Sequence, residues 1–123
     1  MKTDIQNLQD IKVLVDSFYE EVQRDTLIGG VFHGVVKHWP SHLEKMYTFW
    51  QTILLGEYTY HGSPFNPHAE MPIGITHFER WLHLWKKTVD TYFEGELAEE
   101  AKWRAEKMSK IFLSKITHFR ILK

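Results

Sequence analysis

With no cysteine in the chain, any metal must be held by His, Asp or Glu or arrive inside a cofactor, and eight histidines make imidazole the first candidate ligand. Context separates the eight. His33, His38, His61 and His118 fall in turns or near the C-terminus, His77 sits in a helix start, and His83 is on the side of its helix away from Trp81 and Trp85. These six are expected to be solvated or to satisfy nearby backbone. His68 differs because it follows Asn66-Pro67, a cap-type residue and a proline of fixed φ that together start a short rigid turn. A metal-ligating imidazole needs its ring orientation fixed and its second nitrogen engaged, and a tight turn rich in free carbonyls supplies both. His42 lies 26 residues earlier, a helix and a return loop away. That is enough chain to bring the two imidazoles to opposite sides of a flat cofactor.

The elements that must position these residues read as helices. Ile5, Leu8, Ile11, Leu14, Val15, Phe18 and Val22 recur at three-and-four spacing, with Asn7 placed to cap a helix starting near residue 8. Asp25 to Val36, with its Gly29-Gly30 pair, predicts a corner of one or two helical turns. A second long helix is expected from about Pro40 to Leu55, striped by Leu43, Met46, Tyr47, Trp50, Ile53 and Leu54 and ended by Gly56. Glu57 to Ile75 holds Pro64, Pro67 and Pro72 and carries no long helix. Irregular stretches of this length inside a domain are usually functional when packed, and Phe65, Met71 and Ile73 argue for packing. Thr76-His77-Phe78-Glu79 reads as a capping box opening a third helix, and Leu97 to about Phe119 as the last. Four helices without any alternating strand pattern predict a single all-α domain over residues 1–123.

Composition excludes several functions. Lys and Arg number 15 against 16 Asp and Glu, so no basic surplus exists to bind nucleic acid or an anionic membrane. No apolar run approaches the roughly 18 residues of a membrane span, and the N-terminus is polar and acidic, so a cytoplasmic location is expected. Neither an H-E-x-x-H zinc motif, an EF-hand loop, a Gly-rich phosphate loop nor a nucleophile elbow is present. Aromatic residues make up 15% of the chain, five of them tryptophan, and most are expected simply to fill a small core.

Several strings nevertheless occur together in one order: Phe18-Tyr19-Glu20, Phe49-Trp50 shortly after His42, Leu54-Leu55-Gly56, Tyr60-His61-Gly62-Ser63-Pro64, Pro67-His68 leading to Met71-Pro72, and Phe78-Glu79-Arg80-Trp81-Leu82. Across nearly its whole length the chain resembles the group III, or P-type, truncated haemoglobins. The resemblance implies a globin-like, truncated two-over-two helical sandwich around a haem b. The haem is non-covalent, since there is no cysteine for a C-x-x-C-H attachment. Residue by residue it implies that His68 is the proximal iron ligand, that Tyr19 and Trp81 are distal donors, and that His42 stands at the distal gate. Phe32, Met46, Phe49 and Trp50 would line the macrocycle, Lys45 matches a position able to reach a haem propionate, and Tyr60 is a second candidate for that contact. By itself Tyr19 reads first as a core tyrosine with its hydroxyl on a backbone carbonyl, and it is Trp81 and His68 in register that turn the reading to a distal donor.

The implied ligands are dioxygen, nitric oxide and carbon monoxide, with peroxide as a further substrate and an external reductase as electron source. Two donors on the ligand imply tight retention, which suits peroxidase-like or nitric oxide dioxygenase-like turnover, including peroxynitrite, more than oxygen transport. Ligand storage or sensing without turnover, and a non-haem helical interaction module, are the alternatives.

Overall fold

The computed structural model describes residues 1–65, 68 and 71–122, without the side chains of Phe119 and Leu122. The Asn66-Pro67 mount expected for His68 lies outside the described residues. Five α-helices follow one another, α1 (Leu8–Arg24), α2 (Gly29–Val35), α3 (Trp39–Leu55), α4 (Ile75–Tyr92) and α5 (Glu96–Leu122). The described residues contain no strand, only an isolated bridge between Thr3 and Phe93. None of the described helices is long and apolar enough to cross a membrane.

α1 starts where the sequence places it. The Asn7 side chain accepts from the Asp10 N–H at 3.0 Å, and the helix buries Ile11, Leu14, Val15, Phe18, Tyr19 and Val22 along one face. That face is shared, because α1 packs on α3, α4 and α2, while α4 and α5 pack against each other. The pairs α1/α3 and α4/α5 thus form two layers joined through α1 and α4. α3 ends at Gly56, whose φ of 69° is the left-handed cap conformation that glycine adopts without a Cβ clash.

Two expectations are corrected. The corner after α1 has the two helical turns expected of it, but the seven-residue α2 is an element of its own, so the described residues form five helices rather than four. α4 begins at Ile75, one residue before the expected Thr76 cap; the Gly74 N–H there donates to Nδ1 of His77 at 3.0 Å, so His77 replaces the Thr76/Glu79 box. A glycine N-cap has no side chain to offer, and the ring three residues on takes the orphan donor instead.

The α4–α5 corner is fastened from the far end of the chain. Asp4 accepts from the N–H groups of Leu97 and Ala98, both at 2.9 Å, and so caps α5 across more than ninety residues. Gly95 lets the carboxylate approach: its φ is 143°, and a Cβ there would fall 2.5 Å from Asp4 Cγ. Gly95→Ala therefore strains the backbone and displaces the cap together. The expected loss is about 2 to 4 kcal/mol of unfolding free energy, read from urea denaturation followed by helix ellipticity.

Asp25 fastens the other corner. Its carboxylate accepts from Leu27 N–H and Ile28 N–H, each at 3.0 Å, and from Arg80 Nε at 2.7 Å, tying the start of α2 to α4. Burial works to raise its pKa, but the Ile28 N–H, Arg80 and the Leu27 N–H outweigh it and hold the carboxyl below the usual range. A depressed carboxyl stabilises the fold fully above the ordinary aspartate pKa of about 4 and loses that contribution as pH falls through its lower folded value. Asp25→Ala is accordingly expected to cost about 2 kcal/mol at pH 7, and the gap from wild type to narrow as urea melts are repeated at progressively acid pH.

Candidate functional site

A cavity of about 750 Å³ opens between the two helical layers, walled by side chains from every helix and from the loop between α3 and α4. All ten residues singled out in the sequence line it: Tyr19, Phe32, His42, Lys45, Met46, Phe49, Trp50, Tyr60, His68 and Trp81. Its volume falls in the range of cofactor and ligand sites, and most of its lining is aromatic or aliphatic.

The loop wall carries His68. Its N–H donates to the Phe65 carbonyl at 2.8 Å, and its ring Nδ1 donates to the Pro64 carbonyl at 2.7 Å. One backbone carbonyl thus fixes the tautomer, with the proton on Nδ1 and Nε2 left with a lone pair. Phe112 of α5 supports the ring at 5.0 Å between centroids. Burial pushes the His68 pKa down, against the opposing pull of the Pro64 carbonyl, so the ring is neutral at neutral pH. The segment is held from behind by Arg120, whose Nη2 donates to the carbonyls of Met71 at 3.0 Å and Ile73 at 2.6 Å.

The helical wall carries His42. Its Nε2 is buried and has no hydrogen-bond partner among the described residues. Burial, then the charges of Lys45 and His68, lower its pKa, so a second neutral imidazole shares the cavity with the first. Trp39 and Tyr19 pack edge-on against the His42 ring at 5.6 and 5.1 Å. Lys45 follows on the same helix and is exposed at the cavity edge. Tyr60 is placed by its N–H bond to Thr52 Oγ1, 3.0 Å, and packs edge-on against Phe49.

Tyr19 and Trp81 bring polar tips to this apolar space. Tyr19 is 6% exposed, and burial drives its pKa far upward, so the phenol stays protonated and able to donate. No backbone carbonyl among the described residues takes its hydroxyl, while its ring belongs to the buried core. Trp81 and Trp85 lie parallel one helical turn apart, yet differ at nitrogen: Trp85 Nε1 donates to the Ala101 carbonyl at 3.0 Å, whereas Trp81 Nε1 has no partner among the described residues.

Sequence reasoning passed over several lining residues. His38 and His77 satisfy nearby backbone as expected, accepting from the Ser41 and Gly74 N–H groups, but with His61 they also line the cavity. Trp39 was given no role and supports both His42 and Tyr19. Met108 and Phe112 belong to the α5 stripe, and no local signal distinguishes the part of a stripe that faces a cavity from the part that faces a helix.

The donor set suits one kind of occupant. Among the described residues no three His, Cys, Asp or Glu side chains converge to hold a bare metal ion. Single imidazoles in an apolar slot instead match a metal that brings its other ligands with it, as a porphyrin does. The buried, unpartnered Nε2 of His42 fits a cavity whose contents complete its hydrogen bonding.

Comparison with known proteins agrees with this geometry. Residues 4–113 match the family model described as bacterial-like globin. The group 3 truncated hemoglobin of Campylobacter jejuni is 30% identical over 117 residues, covering 91% of this chain and 92% of that protein. The crystal structure of the group III truncated hemoglobin from Campylobacter jejuni superposes with a TM-score of 0.84 at 29% identity, over 94% of this chain and 95% of that one. The chain belongs to the bacterial-like globin family, as a truncated haemoglobin of group III.

Proposed function

We propose that the cavity holds a non-covalent haem b on His68 and that the protein binds dioxygen and other diatomic ligands tightly enough for redox turnover rather than transport. The observation that carries this reading is the His68 ring itself, lining the cavity, braced by Phe112 and bonded through Nδ1 to the Pro64 carbonyl, with no partner for Nε2 among the described residues. Haem held there supplies an iron centre at which dioxygen, nitric oxide, carbon monoxide or peroxide can react.

The chain's own residues do the rest. The Pro64 carbonyl raises the basicity of His68 and fixes its orientation. Phe32, Met46, Phe49 and Trp50 exclude water from the faces of the macrocycle. The Tyr19 hydroxyl and the Trp81 indole N–H are donors on apolar bodies, suited to a partly charged ligand in a dry pocket. His42 acts as the gate. Its unpartnered Nε2 costs about 1 to 3 kcal/mol while buried, and turning toward solvent or toward a ligand relieves that cost. Lys45, exposed at the edge, and Tyr60 are placed to meet the propionates. Donors aimed at developing charge also assist O–O cleavage, which favours turnover of peroxide, peroxynitrite or nitric oxide with electrons from an external reductase.

Titration of the apoprotein with haemin tests this. Uptake is expected to end at one haem per chain with a Soret band. A colourless, fully helical protein that takes up no haemin overturns the reading in favour of a helical interaction module.

A further inference from the structure

Three indoles of this core form one stack. Trp81 and Trp85 are parallel within 3° with centroids 6.3 Å apart, and Trp85 and Trp50 lie within 19° at 4.5 Å. All three border the cavity, Trp81 half-buried at its wall and Trp85 and Trp50 only 1% and 3% exposed. Phe18 closes the edges of Trp81 and Trp85 at 5.8 and 5.0 Å, keeping the stack dry. Packing alone does not require indole, since phenylalanine and leucine fill cores as well. What indole adds is ease of one-electron oxidation, and in a chain without cysteine the indoles and phenols are the side chains most readily oxidised in that way.

The stack has an outlet. One helical turn before Trp50 on α3, Tyr47 donates its hydroxyl to the Asp16 carboxylate on α1. A phenol gives up an electron readily only if its proton can leave at the same moment, and Asp16 is a proton acceptor already in place. Tyr47 is half-buried and Asp16 exposed, so this pair stands where the core meets solvent. Lys12 sets its ammonium 5.6 Å from the Tyr47 ring centroid and the Asp16 and Glu44 carboxylates act on the same phenol, a mixed-charge surround suited to a neutral reductant.

We propose that Trp81, Trp85, Trp50 and Tyr47 form a one-electron relay from the cavity to the Tyr47–Asp16 pair, where enediol- or phenol-type donors are oxidised with hydrogen peroxide as oxidant. The relay rests on the haem reading above. An electron passes from Trp81 toward the cavity, and the vacancy moves through Trp85 and Trp50 to Tyr47. Tyr47 loses an electron along the stack and its proton to Asp16, becoming a neutral phenoxyl radical. A donor then returns an electron, the proton is restored, and the donor leaves as a radical. Two such cycles reduce one peroxide to two waters, so that two donors each lose one electron and one proton.

The test uses haem-loaded ferric protein whose Soret band is verified first, mixed with one equivalent of hydrogen peroxide and freeze-quenched for electron paramagnetic resonance. Wild type labelled with ring-deuterated tyrosine is expected to show a tyrosyl radical with the label's altered splitting. Tyr47→Phe, a change at the surface that leaves the indole stack intact, is expected to cut that signal at least ten-fold. Trp50→Phe is expected to cut it similarly and to leave an indole radical in its place, and Asp16→Asn to slow its appearance. A haem-loaded wild type without a tyrosyl radical, or a tyrosyl yield in Tyr47→Phe or in Trp50→Phe equal to that of wild type, overturns the relay and leaves the haem reading standing. Protein that takes up no haem overturns both.

Discussion

His68→Gly is expected to abolish stable haem retention, with the Soret band lost on gel filtration and haem transfer to a scavenger apoprotein accelerated by on the order of a hundred-fold or more. The magnitude follows from the surroundings of the ring. Removing only an outer partner of a ligating histidine typically costs 10- to 100-fold in affinity, so removing the ligand itself should exceed about that range. Among the described residues the His68 ring packs on apolar Phe112, and the other imidazole of the loop, His61, is exposed rather than held in the apolar slot. Added imidazole should restore the band, since glycine leaves a space of the ring's shape beside the Pro64 carbonyl that held Nδ1. His42→Leu is the contrasting case. It removes an imidazole whose Nε2 has no hydrogen-bond partner among the described residues, so haem should stay bound while ligand entry changes. Equal retention in His68→Gly and wild type sinks the assignment of His68 as the ligand.

Much of this architecture is legible in the sequence because it is local. Asn7 caps α1 through its own neighbour three residues on, the three-and-four spacing from Ile11 to Val22 becomes the buried face of α1, and Gly56 ends α3 in the left-handed conformation. What escapes is carried by contacts distant in the chain. Asp4 caps α5, Arg120 holds Met71 and Ile73, and Trp85 Nε1 reaches Ala101, none of which leaves a mark at its own position. The start of α4 was misread for a related reason: Thr76 and Glu79 have the residue types of a capping box, but the chain enters the helix one residue earlier and His77 takes the bond. For the site, residue types and family spacing picked out ten side chains that all line one cavity. His38 and His61 stay exposed at the cavity edge and half-buried Trp39 packs on His42 and Tyr19, placements set by the fold and unmarked at loop histidines and a tryptophan beside a proline.

Tyr19→Phe and Trp81→Phe are expected to speed dioxygen release from the ferrous protein by roughly five- to thirty-fold each, at about 1 to 2 kcal/mol per hydrogen bond and 1.4 kcal/mol per decade. Both donors are spare in this structure: neither the Tyr19 hydroxyl nor Trp81 Nε1 is taken by another described residue, in contrast to Trp85 Nε1 on Ala101. Each substitution keeps an aromatic ring in place, so the edge contacts of Phe18 with Tyr19 and Trp81 can persist and the change falls chiefly on the polar tip. If the donors act on separate ligand atoms, the double variant should release ligand by roughly thirty-fold to several hundred-fold faster. If they share one atom, the double change should fall short of the product of the single changes, and the cycle gives the coupling directly. The Tyr19 contribution should also be flat with pH. Burial raises the phenol pKa, so the hydroxyl remains a donor throughout the range in which the protein is folded, and the ratio of wild-type to Tyr19→Phe release rates should be the same at pH 6 and pH 9 to within about two-fold. Stopped-flow release measured at both pH values checks this, and single-variant rates equal to wild type would show that ligand retention does not depend on these two side chains.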